Sequence, residues 1–70
     1  MEVNVERLKA LRQLRALSQQ ELSERSGVGR ATISRIERGK TGAQGRTLRR
    51  LAETLGVGVE ELVKVEANQA

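Results

Sequence analysis

Glycine, and not proline, interrupts the helical segments of this chain, because its 70 residues include seven glycines and no proline. All seven glycines lie between positions 27 and 58, and leucine, isoleucine or valine recurs at intervals of three and four residues before and between them. That spacing places apolar side chains along one face of an α-helix. The pattern predicts an all-α fold without a sheet. Five short helices are expected, over residues 5–16, 19–26, 30–38 and 46–55, with the fifth opening within 57–63.

The length of the chain favours one domain, since 70 residues are about half of the usual domain size. We expect a single domain over residues 1–70, with a frayed tail over 64–70, where the apolar pattern stops. No apolar run approaches the roughly 18 to 20 residues that span a bilayer. The N-terminal segment is acidic and lacks the apolar stretch of a signal peptide. These features predict a cytoplasmic protein with no membrane partner.

Several residue types that carry chemistry are missing from the sequence, which has no cysteine, histidine, aspartate or aromatic residue. Their absence removes disulfides, Ser-His-Asp triads and the usual zinc and calcium sites. Glutamate is the one carboxylate, and no glycine-rich loop has the spacing of a nucleotide-binding motif. We therefore expect no catalytic residue, no metal and no cofactor, so the chain is predicted not to be an enzyme. Recognition of single-stranded RNA is also disfavoured, because it depends on aromatic stacking.

Positive charge is concentrated in the middle of the chain. The formal net charge is +4, and residues 30–50 alone hold seven cations against one carboxylate, Glu37. The N-terminal 29 residues are nearly balanced, and residues 51–70 are acidic. This distribution suggests a polyanionic partner, although a solvated basic surface would have the same composition.

Two helices joined by a tight turn form the strongest local motif, over residues 18–38. A capping box, Ser18 with Glu21 three residues later, opens the first helix, and the turn is Gly27-Val28-Gly29. Helix, glycine turn and helix is the helix-turn-helix layout. The outward face of the second helix would carry four residues suited to the major groove, since arginine grips guanine and a small side chain can touch a thymine methyl. These residues are Arg30, Ala31, Ser34 and Arg35.

Three motifs stand in order along the chain, namely Leu17-Ser18-Gln19-Gln20-Glu21-Leu22, Thr32-Ile33-Ser34-Arg35-Ile36-Glu37-Arg38-Gly39 and Leu51-Ala52-Glu53-Thr54-Leu55-Gly56. Together they resemble the Cro/CI-type (XRE family) DNA-binding domain of phage repressors and bacterial regulators, over roughly residues 5–63. The resemblance implies a lambda-repressor-like helix-turn-helix fold. It also implies a sequence-specific transcriptional regulator that binds a palindromic operator in double-stranded DNA as a homodimer.

The same resemblance implies roles for individual residues. Base reading falls to the recognition helix, residues 30–38, through Arg30, Ala31, Ser34 and Arg35. Phosphate contacts fall to Gln19, Gly29, Thr32, Arg38, Lys40 and Thr41. Gly29 stands where the family usually has serine or threonine, so it can contribute only its backbone N–H. Arg12 and Glu37 match a family ion pair that ties the first helix to the third.

Some features leave alternatives open. Arg46, Arg49 and Arg50 share one helical face, which is either a solvated surface or a grip on flanking phosphates. Val59, Val63 and Val65 could form a dimer patch. The chain could also be an antitoxin-type interaction module with a toxin as its protein partner, or a controller protein of a restriction–modification system.

Overall fold

Four α-helices form most of the computed structural model, which describes residues 1–64. They are α1 (Val5–Leu14), α2 (Gln19–Ser26), α3 (Arg30–Glu37) and α4 (Gly45–Leu55), followed by a 3₁₀ helix over Val59–Glu61. The predicted all-α class is confirmed. The predicted count of five α-helices is wrong, because the fifth helical segment is a single 3₁₀ turn.

The fifth segment is cut short by a contact between the two ends of the domain. Val3 and Val63 form an isolated antiparallel bridge. The backbone N–H of Asn4 donates to Leu62 O at 2.8 Å, and that of Lys64 donates to Glu2 O at 3.0 Å. Because Leu62 O and the Lys64 N–H are bonded to the N-terminal segment, neither group is available to continue a helix. The predicted frayed tail falls outside the described residues from position 65 onward.

Helix α1 ends two residues earlier than predicted, because the chain reverses at Ala16. This alanine has a left-handed backbone with φ of +55°. The N–H of Leu17 reaches back to Arg12 O at 3.1 Å, and that of Ala16 to Gln13 O at 2.9 Å, a Schellman-type closure. The turn buries Leu17 and leaves Leu14 on the surface with 72% of its area exposed.

The capping box and the glycine turn predicted at the two ends of α2 are present, and α1 also has a side-chain cap. Asn4 accepts the N–H of Arg7 through its side chain at 3.1 Å at the start of α1. Ser18 and Glu21 make both hydrogen bonds of the capping box, at 3.0 and 2.9 Å. Gly27 ends α2 with φ of +78°, a conformation that costs glycine nothing and other residues about 1 kcal/mol.

An aliphatic core holds the helices together. It contains Leu22 of α2, Val28 of the turn, and Ile33 and Ile36 of α3, as the helix-turn-helix pattern requires. The other helices and both ends of the domain complete it with Val3, Leu8, Leu11, Leu17, Leu48, Leu51, Ala52, Leu55 and Leu62. With one face of α3 locked into this core, its opposite face must point to solvent.

Candidate nucleic-acid interface

The outward face of α3 forms one side of an open depression of about 460 Å³. Ile33 and Ile36 are fully buried on the opposite side of the helix. Helical geometry therefore turns the residues between them outward. The depression is lined by all four residues predicted to read bases and by two predicted to hold phosphates, namely Arg30, Ala31, Ser34, Arg35, Gln19 and Arg38.

The other predicted phosphate contacts lie outside that lining. Gly29 is the N-cap of α3 and has no side chain to cap it, so the first N–H groups of this helix have no side-chain partner among residues 1–64. Thr32 is half-buried beside it, whereas Lys40 and Thr41 are exposed in the segment between α3 and α4. These roles in phosphate binding stay predictions.

Beneath the depression lies a hydrogen-bonded ion pair between α1 and α3. Arg12 donates from Nε to Glu37 Oε2 at 2.7 Å and from Nη2 to Oε1 at 3.0 Å. The Glu37 side chain is only 3% exposed and that of Arg12 14%. The third arm of the guanidinium, Nη1, donates to Leu17 O at 2.8 Å. Arg12 thus satisfies the buried carboxylate and the turn that follows α1.

Gln19 joins this ion pair to α2. Its side-chain Nε2 donates to Glu37 Oε1 at 2.9 Å, so three helices meet at one carboxylate. This hydrogen bond could not be predicted from the sequence. No spacing rule connects positions 18 residues apart, and only the packing of α2 against α3 brings them together.

The cations of residues 30–50 have no carboxylate partner within residues 1–64. The three ion pairs found there use Arg7 with Glu61, Arg12 with Glu37, and Lys64 with Glu2. Residues four apart on a helix are neighbours on its surface, but Arg49 and Glu53 of α4 form no ion pair. All seven cations of residues 30–50 are exposed, namely Arg30, Arg35, Arg38, Lys40, Arg46, Arg49 and Arg50. Their charge is available to an external anion.

The capping box at the start of α2 also affects a titration. The pKa of Glu21 lies below its ordinary value, first because the Ser18 backbone N–H donates to its carboxylate. The Ser18 hydroxyl and the charge of Arg25 lower it further, and slight desolvation opposes them. Hydrogen bonds to the ionised form stabilise it, so this cap is strongest with Glu21 charged.

No group of three or more potential metal ligands occurs in residues 1–64. No helix in that part of the chain has the length and apolar character needed to cross a membrane.

Known proteins resemble this chain over most of the residues that the structure describes. A family model described as helix-turn-helix matches residues 8–62. The chain is 45% identical over 64 residues to the HTH-type transcriptional repressor RghR of Bacillus subtilis (strain 168). That alignment covers 90% of this chain and 47% of the relative, so the chain spans about half the length of the curated relative that it matches.

Two solved structures share the fold. The restriction-modification controller protein C.AhdI from Aeromonas hydrophila superposes with a TM-score of 0.77 at 32% identity, over 81% of this chain and 86% of that one. An HTH_3 family transcriptional regulator from Vibrio cholerae gives a TM-score of 0.76 at 32% identity, over 81% of this chain and 32% of the other.

Proposed function

Since the chain belongs to the helix-turn-helix family, we propose that it is a sequence-specific regulator of transcription that binds double-stranded DNA. The single observation that carries this proposal is the depression on α3. Two arginines, a serine and an alanine stand together there on the outward face of one helix, with Gln19 and Arg38 at its border. A helix of this kind fits the major groove, where arginine can bind guanine O6 and N7 together.

The phosphate-binding surface extends beyond the recognition helix in this proposal. Arg38 and Lys40 follow the base-reading residues directly, and Arg46, Arg49 and Arg50 occupy the exposed side of α4. None of these has a carboxylate partner in the described chain. Neutralised phosphates dominate the affinity of such proteins and make it fall steeply with salt. We therefore favour flanking phosphate contacts over a merely solvated face for α4.

Homodimeric binding is part of the proposal because one recognition helix is short. The eight residues of α3 extend about 12 Å, which is the rise of three or four base pairs. Two copies that place their α3 helices one DNA turn apart, about 34 Å, would read a palindrome of useful length. Val59 and Val63 pack partly against the core at the end of the domain. The third residue of the expected dimer patch, Val65, lies outside the described residues.

A restriction–modification controller is the second candidate, and the similarity to C.AhdI over most of both chains favours it. The DNA chemistry would be the same, with the operator and the regulated genes as the difference. An antitoxin-type module with a toxin partner remains a prediction, which co-purification from the native host would test. We also propose a non-catalytic protein of the cytoplasm, in keeping with the family of DNA-binding regulators.

Selection of bound duplexes from a random pool tests the main proposal. A palindromic consensus is expected, and gel shifts with that duplex should show two protein copies bound. Arg35→Ala should weaken the selected duplex by about 5- to 150-fold, the range of one lost base contact, and weaken unrelated duplexes far less.

Arg25→Ala is the matched control for Arg35→Ala. Arg25 is an exposed arginine of α2 outside the depression, so its removal lowers the net charge equally. Equal weakening of every sequence by Arg35→Ala would contradict its base-reading role. A pool that yields no preferred duplex would overturn the regulator proposal itself.

A further inference from the structure

The Arg12–Glu37 pair does more than tie α1 to α3. We propose that Glu37, held by Arg12, positions the side chain of Gln19 for contact with a DNA phosphate. The inference rests on the proposed function, because it concerns how that interface is arranged before DNA binds. Glu37 is buried and acts through another residue, so it and Arg12 are positioning residues.

The hydrogen bond between Gln19 and Glu37 has one chemically allowed direction. An ionised carboxylate accepts hydrogen bonds and cannot donate them. Arg12 donates to both Glu37 oxygens, the two-point geometry of a guanidinium with a carboxylate that acts as acceptor. The Gln19 NH2 group, and not its carbonyl oxygen, must therefore face Glu37 Oε1 at 2.9 Å.

One donor of Gln19 is left over by this arrangement. A primary amide has two N–H groups, and no second acceptor for Gln19 Nε2 is found among residues 1–64. The same side chain lines the depression beside Arg30 and Arg38. One N–H of the Gln19 amide stays bonded to Glu37. The other N–H is therefore available to a phosphate oxygen at the border of the interface.

Holding Gln19 in place has an energetic consequence for binding. A long, flexible side chain that becomes ordered only on binding weakens affinity by about two- to tenfold. Gln19 is fixed at its backbone by the first turn of α2 and at its amide by Glu37. Much of that loss is thus avoided, because the ordering occurs when the domain folds.

The first test uses the unaltered protein without DNA, by nuclear magnetic resonance relaxation of side-chain amides. The Gln19 NH2 group should have an order parameter near that of rigid backbone, about 0.85, whereas Gln13 should fall below about 0.6. Gln13 is exposed and makes no side-chain hydrogen bond to any of the described residues, so it is the internal control. A Gln19 amide as mobile as that of Gln13 would overturn the proposal.

The second test is a double-mutant cycle on DNA affinity with Gln19→Ala, Glu37→Gln and the combination, each confirmed as folded by circular dichroism. If Glu37→Gln does not fold, Glu37→Asp replaces it. The shorter aspartate keeps a negative charge for Arg12, but its carboxylate lies farther from the Gln19 amide. Each single change should weaken binding by about two- to twelvefold, the range of one hydrogen bond. The Glu37 change should have no further effect once Gln19 has been replaced.

Independent losses that multiply in the double variant would show a purely structural role for Glu37 and overturn the proposal. Gln20→Ala is the neighbouring control, because its amide is bonded to Glu24 and lies outside the depression. It should leave affinity unchanged. If the unaltered protein binds no duplex at all, the proposed function fails, and the relaxation measurement still decides whether Glu37 fixes Gln19.

Discussion

Removing Arg12 is the sharpest test of how this small domain is held together. Arg12→Met deletes two of the three hydrogen bonds that the Glu37 carboxylate accepts and leaves only the one from Gln19. Each charge-assisted bond contributes about 1.5 to 3 kcal/mol, and breaking one partner of a buried pair costs about 3 to 5 kcal/mol. A 70-residue domain has about 4 to 10 kcal/mol in total, so the variant should lie close to its unfolding threshold.

Urea denaturation followed by far-ultraviolet circular dichroism measures this loss, because the chain has no tryptophan or tyrosine for fluorescence. Arg7→Met is the matched control. It breaks the Arg7–Glu61 pair, whose side chains are 48% and 40% exposed, and should cost less than about 1 kcal/mol because water screens and solvates such pairs.

A second variant separates the stranded charge from lost packing. Arg12→Met combined with Glu37→Leu removes both charges, and replacing a buried pair by apolar residues is often neutral or stabilising. The double variant should therefore recover most of the stability that Arg12→Met loses. The reasoning is refuted if Arg12→Met costs no more than Arg7→Met, or if the double variant is less stable than the single one.

Three further predictions concern a turn, a cap and the basic surface. Ala16→Gly should raise the free energy of unfolding by about 1 kcal/mol, because the native φ of +55° strains alanine. Ala10→Gly, inside α1, should lower it by about 0.5 to 1 kcal/mol, and two changes of the same sign would contradict this account. The lowered pKa of Glu21 means that its contribution to stability is complete above its unfolded-state pKa and is lost as pH falls through the folded-state value. With Glu21→Gln, the free energy of unfolding should therefore fall less steeply as pH is lowered. An unchanged pH dependence in urea titrations would contradict this role of Glu21. Arg50→Gln should reduce the slope of log affinity against log salt concentration by about 0.9, the value for one phosphate contact. Lys9→Gln, in α1, should leave that slope unchanged.

Local sequence was sufficient to predict most of the helices and their ends. Hydrogen bonds of a cap join residues two or three positions apart, so the spacing of Ser18 and Glu21 predicts their cap without any tertiary contact. A glycine directly after a helix likewise predicts a left-handed backbone, and Gly27 has one. The end of α1 was missed because Ala16 occupies a left-handed position that alanine disfavours, so its residue type gave no signal.

The composition and the helical period, by themselves, determined an all-α chain whose α3 has an apolar face and an arginine-bearing face. Those properties depend on residues within one or two helical turns. The tertiary structure alone decided that Val3 pairs with Val63, which replaces the expected fifth α-helix by a 3₁₀ turn. It also decided that the amide of Gln19 meets Glu37 beneath the recognition face. Such contacts join residues far apart in sequence, and their partners become neighbours only when the aliphatic core fixes the positions of the helices.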